Sequence, residues 1–193
     1  ASPTFPIKLN CNNENIDYSV SLFGPKIPYY ENISGRAIYT DNTGCTEKDY
    51  DNVEMNNDFI FVNRGKCTFV QKVFMAEKQK GKILIVVNKE DAHEKMDTYN
   101  LENVEINIPS LMVSKKTENV LLTALNINCI LGTGEDIPVP ATIPTQSPTV
   151  KVPNYIPVIN EGNFTYVYSK AKFGASIPEN SLKYGGYFSQ TNG

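Results

Sequence analysis

The sequence has no tryptophan, a single histidine and no C-x-x-C pair among its four cysteines. The lone His93 and the wide cysteine spacing exclude a zinc finger, which needs ligands in close pairs. A Ser-His-Asp triad would have to use His93, which lies in the charged stretch "KEDAHEKMD". There is no G-x-S-x-G elbow, H-E-x-x-H pair, phosphate-binding P-loop or dinucleotide fingerprint. No EF-hand spacing is present, and carboxylate pairs such as Asp49 and Asp51, or Glu90 and Asp91, read as solvated loop residues. No apolar run approaches the ~18 residues that cross a bilayer. Base is not in surplus either: 18 Lys and Arg against 21 Asp and Glu give a net charge of −3. That argues against a nucleic-acid backbone as partner. The expectation is a protein that is not an enzyme, without cofactor or metal. The chain opens "ASPTFP" without Met or a signal-like pattern, and is read as a mature or excised segment.

What is present is an ordinary globular composition, 40% hydrophobic and 20% charged over 193 residues. Cys11, Cys45, Cys67 and Cys129 make an even, widely spaced set that suits two disulfides, with three pairings open on arithmetic alone. Two N-glycosylation sequons, Asn32-Ile33-Ser34 and Asn163-Phe164-Thr165, agree with an extracellular or secretory-lumen location and attached glycans. With 11 tyrosines and no tryptophan, aromatic surface rests on Tyr. Most are read as strand residues.

The middle of the chain is the most legible. Phe59 to Val62 is a buried strand by its apolar run. Thr68 followed by Gln71 is a capping-box pattern, and Phe69, Val73 and Ala76 recur at helical spacing. Lys78 and Lys80 occupy the last turn, and Gly81 is the expected left-handed residue past its end. Ile83 to Val87 is a second buried strand, completing a parallel βαβ unit with a right-handed crossover. A polar loop follows to Asn107, then a strand around Ser110 to Val113. A second helix is capped by Ser114 or Thr117, with a stripe of Val120, Leu121, Ala124 and Leu125. Strands are also expected from Arg36 and over Ile127 to Leu131. The fold class is therefore β-rich α/β: a mixed sheet with two helices.

This whole segment resembles the protease-associated (PA) domain. The match lies in an apolar strand followed by Arg64, Gly65, Cys67 and Phe69, a helix holding Ala76, then Gly81, a strand ending in Asn88, and Ile108, Pro109, Val113 and Ser114. It covers roughly residues 20–131, and Leu22 to Pro28 resembles that family's entry strand. The resemblance implies a PA-type open barrel without catalytic residues that holds a peptide or protein, or lids a neighbouring active site. It implies Arg64 and Gly65 as ligand-binding candidates, although a structural ion pair or bonds to loop carbonyls is the preferred role for Arg64. It also implies the disulfide Cys45–Cys67, which leaves Cys11–Cys129. Loop closure estimates their worth at about 3 and about 4–5 kcal/mol.

Past Gly134 the composition changes. The domain organisation expected is an N-terminal linker tail (1–9), the PA domain (10–134), a Pro/Thr-rich extended linker (135–157), and a β segment (158–193). That last segment echoes the first. "YSVSLFGPKIP" at Tyr18 and "YSKAKFGASIP" at Tyr168 agree at six of eleven positions, and Ser2-Pro3-Thr4 echoes Ser147-Pro148-Thr149. The segment 158–193 is thus expected to open a second PA-like repeat. The function expected is a non-catalytic structural or interaction module of a tandem-repeat glycoprotein. Its partners would be other copies, joined head to tail into a filament or surface layer. The alternative is a ligand- or cargo-binding ectodomain, or the accessory domain of a peptidase.

Overall fold

A computed structural model describes residues 7–54, 56–96, 102–135 and 138, with backbone alone at 102–105, 149–152, 156–160 and 163–167. The strands are β1 (Lys8–Cys11), β2 (Glu14–Ile16), β3 (Tyr18–Val20), β4 (Ile33–Tyr39), β5 (Phe59–Asn63), β6 (Ile83–Val87), β7 (Glu102–Glu105), β8 (Ser110–Val113), β9 (Ile127–Gly132), β10 (Thr149–Val152), β11 (Ile156–Asn160) and β12 (Asn163–Val167). The α-helices are α1 (Phe69–Lys78) and α2 (Thr117–Thr123), with one turn of 3-10 helix at Glu47–Tyr50.

Eight strands form one sheet in the order β2-β1-β9-β4-β5-β6-β8-β3. The centre, β4-β5-β6-β8, is parallel, and the flanks are antiparallel. Its two outer strands, β2 and β3, are separated in sequence by Asp17 alone. A sheet whose opposite edges are joined by one residue must curl, so this one is a nearly closed barrel with a seam between β2 and β3. Tyr18 Oη donates across that seam to the Ile7 carbonyl at 2.6 Å.

The continuous apolar runs follow from coverage on both faces. Phe59, Phe61, Ile83, Ile85, Leu111 and Val113 point into the barrel with Leu9, Ile127 and Leu131. Ile60, Val62, Leu84, Val86 and Met112 point outward, under Val70, Val73 and Phe74 of α1. The inner cluster reaches Leu121 of α2.

The local signals resolve in detail. Thr68 caps α1 by accepting from the Gln71 amide at 3.0 Å, but the Gln71 side chain turns away to the Cys45 carbonyl at 2.9 Å. Half of the expected capping box is therefore spent on a distant loop. At the other end Lys80, not Gly81, holds the left-handed position (φ 67°). Gly81 N donates to Ala76 O and Lys80 N to Glu77 O, a Schellman closure. Gly81 is required for space instead, because a Cβ there would lie 2.7 Å from Ile60 Cδ1.

Four further expectations change. The second helix stops at Thr123 and Ala124 is extended, so Leu125 leaves the stripe and is fully exposed. Neither Ser114 nor Thr117 caps that helix: Lys116 occupies the N-cap without a side-chain bond. Residues 22–24 bend around Gly24 (φ 76°) and 25–28 lie in no strand, so the strand before them is β3. Of the expected tail 1–9, Lys8 and Leu9 fall in β1, pairing with Gly132 and Leu131, while residues 1–6 lie outside the described residues.

Within the expected linker 135–157, the β-branched "TVKV" forms β10 on β7, and β11 pairs with β12 as a hairpin from Ile156. Most of the expected second repeat, including its echo at 168–178, lies outside the described residues.

Candidate functional site

Parallel strands end together, so the loops after β4, β5, β6 and β8 gather at one end of the barrel. In open α/β sheets this is where ligands bind. Here the loops are tied down by a buried lysine. Lys72 lies on α1 and is wholly buried. Its Nζ donates to the carbonyls of Thr43 at 2.8 Å, Asn63 at 2.9 Å and Gly65 at 2.7 Å. Three acceptors match the three protons of an ammonium. Burial pushes the Lys72 pKa well below the ordinary lysine range, with Asp49 opposing that shift and Lys89, Arg64 and Lys66 adding to it.

The same loops are crossed by the Cys45–Cys67 disulfide. Asp49 completes the frame, its Oδ2 accepting from the Cys45 amide at 2.8 Å and the Thr46 amide at 3.1 Å. Asp49 is thus not the solvated loop carboxylate its sequence context suggests.

Arg64 and Gly65 sit in this frame. The Arg64 guanidinium pairs with Glu94 at 2.6 Å, donates to Asn88 Oδ1 at 3.3 Å and lies 5.4 Å from the Phe69 ring centroid. Gly65 has φ 123°, and a Cβ would come within 3.1 Å of Lys89 Nζ. The Arg-Gly pair therefore shapes a turn. Beside it opens a polar cleft of about 520 Å³, lined by Tyr39, Asn42, Thr43, Lys48 and Lys66 among others. Tyr39 Oη donates to Asn63 Oδ1 at 2.5 Å, and burial raises its pKa.

The remaining predicted residues lie elsewhere. Cys11 and Cys129 face each other across β1 and β9 and are bonded. Asn32 is exposed before β4; its amide donates to the Glu135 carbonyl at 3.2 Å and accepts from Gly134 N at 3.1 Å. Asn163 opens β12. The His93 Nδ1 meets the Ser19 hydroxyl on β3, so its ring does find a partner that the sequence context did not suggest. Among the described residues no group of three or more His, Cys, Asp or Glu could hold a metal, and no helix is long and apolar enough to cross a membrane.

Sequence reasoning missed Lys72. One signal was available: α1 reads apolar almost all round from Phe69 to Ala76, and a helix of that kind is buried on every side. Its internal Gln71 and Lys72 must then be bonded inside.

The PA domain family matches residues 33–121. No curated protein gives a match. Among solved structures, the aminopeptidase from Aneurinibacillus sp. strain AM-1 superposes with a TM-score of 0.52 at 16% identity over 66% of this chain. A zinc aminopeptidase from Bacillus subtilis gives 0.53 at 15% identity over 66%. The chain spans 30% and 29% of the length of those two enzymes. At such identity the likeness is one of fold.

Proposed function

We propose, from the premise that residues 33–121 are a PA domain, that the chain is a non-catalytic interaction and structural module of an extracellular glycoprotein. The observation that carries this reading is the family match itself, a protein- and ligand-binding module. The two disulfides point to an oxidising, secretory compartment. The loop frame around Lys72 supports the reading too. Lys72 Nζ and Asp49 Oδ2 spend their bonds on the loop backbone, which suits a rigid platform rather than a reactive centre. The finer form is a tandem-repeat array that assembles head to tail, with the segment 164–188 adding as a strand to a neighbouring copy. The sequence echo at 168–178 supports that form. Light scattering and electron microscopy of the chain with and without residues 164–193 test it. Assembly that survives the deletion removes the head-to-tail reading.

The second reading is a ligand-binding or peptidase-accessory domain. It is favoured by the polar cleft beside Lys66 and by the fold shared with two aminopeptidases. It requires a monomer that binds peptide, measured by titration with a peptide library. Because Arg64 is already paired, Lys66→Ala is the informative variant here: binding at the cleft should fall, with stability unchanged.

A further inference from the structure

The sequon at Asn32 acquires a second meaning from its place in the fold. The ladder between β4 and β9 ends at Ile33 and Leu131, and Asn32 is the residue just before it. Its side chain is exposed yet engaged. Oδ1 accepts from the Gly134 amide at 3.1 Å, and Nδ2 donates to the Glu135 carbonyl at 3.2 Å. Gly132 leaves room for this, because a Cβ there would collide with Asn32 Oδ1. Thr133 shapes the same bend, its Oγ1 accepting from Glu135 N at 3.2 Å. One carboxamide thus clamps the bend by which the chain leaves β9.

The clamp and a sugar compete for the same hydrogen. An asparagine amide carries two hydrogens on Nδ2, one beside Oδ1 and one beside Cβ. Two adjoining backbone groups are met along the edge shared by Oδ1 and the hydrogen next to it. N-glycosylation forms a bond from Nδ2 to C1 of an oligosaccharide carried on a lipid diphosphate. The C1–O bond breaks, the lipid diphosphate leaves, and the Nδ2 proton passes to a base of the transferase. The product is a secondary amide, which is planar and prefers trans. Trans sets C1 opposite Cβ, on the Oδ1 side, where the Glu135 carbonyl sits in the clamp. Order of synthesis favours the sugar: Asn32 precedes Gly134 by 102 residues, so it emerges before its clamp partners exist.

We propose that Asn32 is a modification site whose glycan excludes this clamp. The glycosylated chain holds the bend 133–135 open, and the bare chain closes it. The proposal deepens, and rests on, the reading of a secretory glycoprotein.

The full chain secreted from a eukaryotic cell is compared with Ser34→Ala, which removes the sequon at an exposed position and keeps Asn32. Peptide mapping after enzymatic deglycosylation reads occupancy at Asn32 and at Asn163. Amide exchange at Gly134 reads the clamp. The glycosylated chain should exchange there at least about tenfold faster than Ser34→Ala. Asn32→Ala, which opens the clamp without a sugar, should match the glycosylated chain. Equal exchange in the glycosylated chain and Ser34→Ala overturns the exclusion, as does a Gly134 still protected in Asn32→Ala. A bare Asn32 beside a glycosylated Asn163 overturns the site and leaves the secretory reading standing. Both bare removes that reading, and this proposal with it.

Discussion

The two ends of the barrel are held by opposite means. At the end where the parallel strands finish, a lysine, an aspartate, a glutamine and a disulfide bind the loops into one polar frame. At the β3 seam two apolar side chains, Val20 and Leu22, are left exposed. The Arg64-Gly65 turn belongs to the first kind. Its cation is matched by Glu94 and Asn88, so it has less to offer a ligand than the resemblance implied. The difference teaches that a motif the resemblance marks for contacts can be tied into the scaffold, while exposed apolar surface is left where no motif marks it.

The largest effect tests what underlies both ends. Cys11–Cys129 closes a separation of 118 residues and ties β1 to β9, on which the seam depends. Replacing both by serine should cost about 4–5 kcal/mol by the loop-closure relation, measured by urea unfolding. The Cys45–Cys67 pair spans 22 and should cost about 3 kcal/mol. A reversed order would mean that the polar frame, rather than chain closure, governs stability.

Next is Lys72. Lys72→Met removes the donor from three carbonyls, each acceptor worth ~1–3 kcal/mol when stranded. Relief from burying a charge offsets part of this, leaving a net loss of about 3 kcal/mol. The pH dependence carries the sign. Burial lowers the folded pKa of Lys72, so between that value and the ordinary 10.5 the unfolded chain binds more protons. The stability of the parent chain relative to Lys72→Met should therefore rise as pH climbs through that window. Tyr39 and Tyr50 act oppositely. Burial raises their pKa above 10.0, so above that pH the folded state retains protons the unfolded state loses, and stability falls in both proteins. Thermal melts from about pH 7 to about pH 10.5 on both proteins separate the two contributions.

Arg64→Ala should cost about 1–2 kcal/mol, because one partner, Glu94, is half exposed and the pair is screened. The loss of stacking on Phe69 adds to it. If the Arg64 turn serves the scaffold, this variant keeps partner binding while losing that stability. Loss of binding without loss of stability would reverse the comparison between the two ends.

Much of this was legible in sequence, for a physical reason. The runs Phe59–Val62 and Ile83–Val87 can be apolar throughout only if both faces are covered, which dictates parallel strands under a helix. Thr68 announced its helix by a local cap. What was not legible depends on groups far apart in sequence. Lys72 meets Thr43, and Asp49 meets Cys45 and Thr46, through a loop whose path no periodicity encodes. Met96 and Ile106 are wholly buried, although the stretch around them reads as a polar loop. The seam was invisible because it arises from closure: only the strand order puts β2 and β3 at opposite edges.

The smallest effect concerns the one residue whose helical spacing misled. Leu125 lies four after Leu121 and would share its buried face if α2 continued. Ala124 is extended, however, and the chain turns into β9 through Asn126. With Leu125 fully exposed, Leu125→Ser should change stability by less than about 0.5 kcal/mol, whereas Leu121→Ala, at 4% exposure, should cost about 2–4 kcal/mol. A loss at Leu125 comparable with that at Leu121 would mean that this side chain is covered in solution. Together with Leu122, which is also exposed, Leu125 would then mark the face beside α2 as apolar surface that a partner covers.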